Sequence, residues 1–284
     1  MSILGQMSTL RVNRIGPYGS YLDGRELGEI MLVREMPARQ YAVGDEVKVF
    51  VYIDSDDTIV ASTTRPTILA GEVGCLEVVA LTHNGAFLDW GMRSDLFVPR
   101  TEQMGEMGVG KRCVVVALLD SDNERMIGST RLFMHLNEEN IGIFVVDEEV
   151  ELIVCQQTDL GFKAVVNGTH LGVLYSSEIF QPLSIGSRLK GFVKAPRSDQ
   201  KIDLILQKPS AEVRNQLEGE ILEHLKQHGG VSNIIDKSPP EEIYKTFGCS
   251  KKAYKHAIGS LYRSRLITLN KECIALVESK GTKR

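Results

Sequence analysis

The sequence predicts a mainly β protein with an α/β C-terminal domain: three small five-stranded barrels in tandem, followed by a short helical domain that ends in a hairpin. Three observations predict it. One supersecondary pattern recurs along the first two thirds of the chain. Apolar residues there alternate with a period of two, in short runs bounded by Gly, Pro and Asp. Near Lys208-Pro209-Ser210 the period becomes helical and the sign of the charge reverses.

The pattern is clearest between Cys75 and Arg131. It runs Leu81-Thr82-His83-Asn84-Gly85-Ala86-Phe87-Leu88-Asp89, then Val109-Gly110-Lys111, then Leu118-Leu119-Asp120-Ser121-Asp122, then Ile127-Gly128-Ser129-Thr130-Arg131. An upstream copy reads Gly16-Pro17-Tyr18-Gly19-Ser20-Tyr21-Leu22-Asp23, Val43-Gly44-Asp45, Ile53-Asp54-Ser55-Asp56 and Ala61-Ser62-Thr63-Thr64-Arg65. The separation from Gly19 to Gly85 equals that from Gly44 to Gly110. A looser downstream copy starts at Asp159-Leu160-Gly161-Phe162-Lys163 and continues at Ile185-Gly186-Ser187. Gly85 to Gly161 and Gly110 to Gly186 again share one separation, slightly longer than the first, and the extra length falls around Met134–Phe144. Two landmarks that keep one offset in each direction mark a repeat.

Each repeat reads as five strands. The first has Thr9–Arg14, Gly19–Leu22, Gly28–Val33, Asp45–Ile53 and Ile59–Ser62. In its fourth strand Val47, Val49 and Val51 share one face, and Lys48, Phe50 and Tyr52 the other. The second has Leu76–Leu81, Gly85–Trp90, Ser94–Val98, Arg112–Leu119 and Met126–Ser129. The third has Val150–Cys155, Gly161–Asn167, His170–Leu174, Arg188–Lys194 and Ile202–Leu206. Five short strands in about 60 residues close most economically into a barrel, because closure leaves no exposed strand edge. The glycines before each fourth strand are read as turn residues.

Beyond residue 208, Ser210 is placed to cap a helix in which Val213, Leu217, Ile221, Leu222 and Leu225 recur at helical spacing, ending at Gly229-Gly230. Pro239–Gly248 reads as a second helix and Ser250–Arg263 as a third, with Ala253, Ala257, Ile258 and Leu261 toward the core. Leu266–Leu269 and Ile274–Val277 read as a hairpin. Three helices and a hairpin make a winged-helix pattern. The predicted boundaries are 1–67, 68–144, 145–208 and 209–284, with a frayed end beyond Ser279.

Composition narrows the function. The chain of 284 residues has 43% hydrophobic and 25% charged residues, the balance of folded soluble protein. No apolar run approaches the ~20 residues that span a bilayer, and the N-terminus lacks the pattern of a signal peptide. The five cysteines are scattered and form no C-x-x-C pair, which argues for reduced thiols in a cytosol and against a disulfide framework or zinc. No P-loop, GxSxG or HExxH occurs, and no catalytic arrangement emerges. The pair His224–His228 reads as the exposed end of a helix. Asp54, Asp56, Asp120 and Asp122 read as polar turns rather than metal ligands. Residues 1–208 carry 20 Lys and Arg against 28 Asp and Glu, whereas residues 209–284 carry 13 against 9.

The run Gly-Ala-Phe-Leu, an apolar third strand, Val-Gly-Lys and a closing Ser-Thr-Arg resembles the ribosomal S1-type RNA-binding domain, an OB-fold barrel. Three such units before a winged helix resemble the bacterial conserved virulence factor B family, also called the YitL family. The resemblance implies cytoplasmic RNA-binding regulators of post-transcriptional events, without catalysis or cofactor. S1-type domains place aromatic residues around the first glycine, a histidine on strand three and a basic residue on strand five. Tyr18 and Tyr21 fill the aromatic places in the first repeat, Asn84 and Phe87 in the second, Leu160 and Lys163 in the third. The strand-three places are read as Met31, Phe97 and Tyr175, and the strand-five places as Thr58, Arg125 and Lys201.

Single-stranded RNA offers base faces that stack on rings and phosphates that attract cations. Tyr18, Tyr21, Phe87, Phe97 and Tyr175 are therefore candidate stacking residues, and Arg125, Lys190, Lys194, Arg197 and Lys201 candidate phosphate contacts. The competing reading makes Phe87 and Phe97 core fillers and the lysines a solvated face. On the third helix of the C-terminal domain, Lys251, Lys252, Lys255 and His256 lie near one side, with Arg263 and Arg265 beyond. That surface would meet RNA, duplex nucleic acid or a protein; the acidic barrels disfavour a long duplex. A monomer that binds single-stranded RNA and no membrane is the expectation.

Overall fold

Alternating valines decide the first barrel. Val47, Val49 and Val51 face inward to meet Leu10, Val12, Leu22, Ile30 and Ala61 in one apolar core. The computed structural model describes residues 3–33, 40–179, 181–194, 199–206, 211–270 and 272–277. Its first five strands are β1 (Met7–Gly16), β2 (Gly19–Asp23), β3 (Glu29–Leu32), β4 (Glu46–Ile53) and β5 (Ile59–Ser62). They close in the order β1-β2-β3-β5-β4, with β3 and β5 parallel.

The second barrel comprises β6 (Val73–Leu81), β7 (Gly85–Asp89), β8 (Leu96–Pro99), β9 (Arg112–Leu119) and β10 (Met126–Ser129). The third comprises β11 (Glu149–Thr158), β12 (Gly161–Val166), β13 (His170–Tyr175), β14 (Arg188–Val193) and β15 (Ile202–Ile205). Both close in the same cyclic order as the first. Three OB-like barrels thus follow one another, as the repeat predicts. The turn glycines Gly44, Gly110 and Gly186 have φ of 98°, 79° and 86°, a conformation that side chains disfavour. Gly85 and Gly161 answer a different need. A Cβ on either would lie 2.3 or 2.1 Å from a carbonyl oxygen of the neighbouring third strand.

The alternation hides one feature of the barrels. The first strand of each is bulged, between Val12 and Arg14, between Val78 and Ala80, and between Val154 and Gln156. The bulges sit at equivalent places in the three repeats. Each bends its strand so that the sheet can close, and each reverses the in/out phase of the residues after it.

The barrels are fused rather than strung. The sequence places Phe50 and Tyr52 on the face of β4 opposite the core valines, and they are buried all the same. They stack at 5.4 Å, and Phe50 meets Trp90 of the second barrel edge-on at 5.7 Å. One apolar cluster joins them, with Val60, to Leu76, Leu88, Leu96 and Val115 of the second barrel. A second seam, with Val73, Val114, Val116 and Leu132 on one side and Ile153, Val165 and Leu171 on the other, joins barrels two and three. The inserted stretch around 134–144 folds onto the third barrel. Asn137 and Glu139 bridge to His170 and Lys201, and Phe144 enters that core.

The C-terminal domain comprises α1 (Ala211–Gln227), β16 (Val231–Ser232), α2 (Pro240–Phe247), α3 (Lys251–Arg263), β17 (Ile267–Leu269) and β18 (Ile274–Leu276). Its sheet runs β16-β18-β17. Strand β16 escapes the sequence reading because two residues carry no period. Gly248 ends α2 at φ 61°. The Ser250 side chain caps α3, its Oγ accepting the Ala253 N–H at 2.8 Å. The expected cap at Ser210 lies outside the described residues. Ala257, Ile258 and Leu261 are buried as expected, while Ala253 is only partly so. Tyr254 is buried among them; it stacks on Phe247 at 5.0 Å and donates its hydroxyl to the Ile234 carbonyl at 2.7 Å. His224 is half-buried rather than exposed, held between His228 and Phe247, and burial lowers its pKa.

Candidate nucleic-acid interface

Cross-strand pairing assembles one row of three side chains on the outer face of each barrel, running from strand one to strand three. In the first barrel the row is Arg14, Tyr21 and Met31; in the second it is Ala80, Phe87 and Phe97; in the third it is Gln156, Lys163 and Val173. The rows differ in chemistry. Phe87 and Phe97 lie side by side at 5.1 Å with their rings tilted by 43°. Both are half-buried on the outside of the barrel, so they are not core fillers. Tyr21 carries the Arg14 guanidinium 3.7 Å from its ring centroid, a cation–π contact. Glu29 grips Arg14 from the side, with Nε donating to its carboxylate at 2.9 and 3.3 Å. Tyr18, on the turn between β1 and β2, is 75% exposed.

Arg14 is not among the sequence candidates. Simple alternation from Leu10 and Val12 would point it inward, and only the bulge at residue 13 turns it out. The third row requires a correction. Strand pairing sets Val173, not Tyr175, opposite Lys163, at the place that Met31 and Phe97 hold elsewhere. Tyr175 lies two pairs further along, opposite Gly161, and donates its hydroxyl to Asp203 at 3.2 Å.

Several of the barrel cations have carboxylate neighbours. Arg125 reaches back to the first barrel, where Nη2 meets Asp57 Oδ1 at 2.5 Å and the Ser55 carbonyl at 3.2 Å. It ties two loops together. Lys190 pairs with Glu149 at 2.6 Å and Lys194 with Glu178 at 2.8 Å. Lys163 is likewise held by Glu138 at 3.2 Å. Lys201 is exposed, and Arg197 lies outside the described residues. Asp54 and Asp120 accept the N–H groups of Asp56 and Asp122 at 2.9 Å, the polar turns the sequence suggests. Among the described residues no group of three or more His, Cys, Asp and Glu is placed to hold a metal ion, and no helix is long and apolar enough to cross a membrane.

On the C-terminal domain, helical geometry gathers Lys252, Lys255, His256, Gly259 and Arg263 on one stripe of α3, away from the buried Tyr254, Ala257, Ile258 and Leu261. Lys252, Lys255, His256 and Arg263 are exposed, and nothing stands within 4 Å of the space above Gly259. Lys251 is half-buried at the start of the helix. Lys255 has a loose acidic neighbour, Asp236, at 3.9 Å, and the Arg263 Nε donates to the Gly259 carbonyl at 3.2 Å.

The two tyrosines of the first barrel give a first expected result. Changing Tyr18 and Tyr21 together to Ala should weaken binding of single-stranded RNA and leave the thermal midpoint almost unchanged, since neither ring fills the core. A large fall in the midpoint would show instead that these rings hold the barrel together.

Residues 4–64 match the family model described as the S1 domain, and residues 219–276 that of the CvfB-like winged helix domain. Similarity extends along nearly the whole chain. It is 26% identical over 277 residues to the uncharacterized protein YitL of Bacillus subtilis, covering 92% of this chain and 89% of that one. Proteins named conserved virulence factor B are similar too. The one from Staphylococcus saprophyticus is 26% identical over 251 residues, covering 83% and 81%, and one from Staphylococcus epidermidis is 24% identical over 300 residues, covering 99% and 97%. A crystal structure described as a multidomain protein with nucleic acid binding domains, from Streptococcus pneumoniae, covers 98% of this chain and 99% of its own at 22% identity, with a TM-score of 0.42. S1 domains and a winged helix both suggest nucleic-acid binding.

Proposed function

We propose that the chain is a cytoplasmic, non-catalytic regulator that binds single-stranded RNA on its first two barrels and supplements that binding with the basic stripe of α3. The observation that carries this reading is the equivalence of the cross-strand pair Tyr21–Met31 in the first barrel with the pair Phe87–Phe97 in the second. Rings recur at one place on the outer face of two successive barrels, half-exposed, where the core does not need them. Flat side chains of this kind stack bases without regard to sequence, at ~1–3 kcal/mol per base. The third barrel has Lys163 and Val173 there and contributes little stacking. The same face suits a single strand better than a duplex, whose bases are already stacked on one another.

The deciding measurement is a titration of the full chain and of residues 1–208 against labelled single-stranded RNA and duplex DNA at one fixed salt concentration. RNA should bind to both proteins, more tightly to the full chain, and duplex DNA weakly to either. Absence of RNA binding by both would sink the reading. Tight duplex binding that needs residues 209–284 would favour a DNA-binding regulator in its place.

A further inference from the structure

The acidic excess of the barrels is not evenly spread. A cavity of about 220 Å³ lies between barrels two and three. It is walled by β6, β9 and the 104–108 loop on one side and by β11, β12 and β13 on the other, and Thr130, Leu132 and Phe133 also line it. Three cations, Lys111, Arg112 and Lys163, border it, against one acid, Glu106. Glu138 and Glu77 stand beside Lys163 and Arg112, so Lys111 is the cation there that no salt bridge among the described residues offsets. Lys163 is shared with Glu138, and Arg112 donates Nη2 to the Cys75 carbonyl at 3.1 Å. Lys111 is exposed, and among the described residues no salt bridge engages it.

The apolar part of the lining is suited to a flat ring. Phe133 is 43% exposed and Met104 49% exposed at its edge, and Met107 completes that wall. Arg131 lies over the Phe133 ring at 5.7 Å. A partly exposed ring, polarisable thioethers and neighbouring cations in an acidic surrounding match a flat base that carries a phosphate. The place is distinct from the row of Phe87 and Phe97, which sits on β7 and β8. The two are joined by the chain itself, since β8 leads into the segment that bears Met104 and Met107.

We propose that this cavity is a second nucleotide-binding site for single-stranded RNA, in which a base lies against Phe133 and Met104 and a phosphate meets Lys111 and Arg112. The inference rests on the RNA-binding reading above and extends it to the seam between barrels two and three. Cys113 and Cys155 line the cavity, one from each barrel, and serve as reporters. Cys273, in the turn between β17 and β18, serves as the control.

The experiment uses the full chain and a short mixed-sequence RNA. Alkylation of each thiol by iodoacetamide is followed by mass spectrometry at mildly alkaline pH, with and without saturating RNA. RNA affinity is measured in parallel for Lys111→Glu and Phe133→Ala, after melting curves have shown both variants folded. We expect RNA to slow alkylation of Cys113 and Cys155 several-fold and to leave Cys273 unaffected. Each variant should lose about tenfold in affinity. If the native chain binds RNA, yet both thiols react at unchanged rates and both variants bind normally, this proposal is wrong and the RNA-binding reading stands. Protection without loss of affinity in either variant also overturns it, because the shielding would then come from the barrels closing. A native chain that binds no RNA at all removes both.

Discussion

Phe50→Ala is expected to cost ~3–5 kcal/mol, the range for removing a buried aromatic ring, and to separate the first barrel from the second. Phe50 is fully buried, yet it lies outside the core of its own barrel. Its contacts are Tyr52 on the same face and Trp90 across the seam. Trp90 is the single tryptophan of the chain, buried, with its indole N–H donated to the Ser94 carbonyl at 2.6 Å. Its fluorescence therefore reports this seam directly. In urea titrations the variant should show a lower midpoint, and its emission should shift to the red before the barrels themselves unfold. The tie from Arg125 to Asp57 cannot compensate, because a pair this open to solvent contributes only ~0.2–1 kcal/mol. An unchanged midpoint with unchanged Trp90 emission would show that the barrels are independent beads.

The seam shows where sequence reading stops. Strand positions were legible because each barrel alternates apolar residues inward and because repeated glycines keep one register. The outward faces were less legible. Phe50 and Tyr52 sit where alternation expects solvent, and nothing local says that another barrel covers them. Phe87 and Phe97 look the same in sequence, and yet they remain half-exposed. The difference is tertiary: a neighbouring barrel lies over one pair and not over the other. The bulges hide a second kind of information. One extra residue in β1 turns Arg14 from the core to the face of Tyr21, and the period-two rule has no way to mark it. The pairing of charges was illegible for a third reason. Arg125, Lys190 and Lys194 look like free cations along the chain, but the carboxylates that hold them (Asp57, Glu149 and Glu178) belong to other loops and strands far from them in sequence. The stripe on α3 was legible because its members share one helix, so spacing alone fixes its geometry.

The largest functional effect is expected from that stripe. The barrels are net acidic, so their attraction for phosphates is weak over most of their surface, and stacking must supply much of their affinity. Residues 209–284 carry 13 cations against 9 acids and present Lys252, Lys255 and Arg263 on one exposed side of α3, with Lys251 at its start. Each phosphate neutralised on a single strand contributes about −0.7 to the slope of log affinity against log salt. Changing Lys251, Lys252, Lys255 and Arg263 to Ala should therefore flatten that slope by up to about 3, with the strongest loss of RNA affinity at low salt. Lys255 already has Asp236 nearby, so the measured change should fall short of four full contacts. None of the four side chains fills the core, and the domain should keep its melting temperature. Deleting residues 209–284 should flatten the slope at least as far and still leave the binding that depends on Phe87 and Phe97. The decisive comparison is the salt dependence of the full chain, the quadruple variant and the truncated chain with one RNA. Identical affinities and slopes for all three would show that α3 does not touch RNA, and its basic stripe would then be a surface for a protein partner.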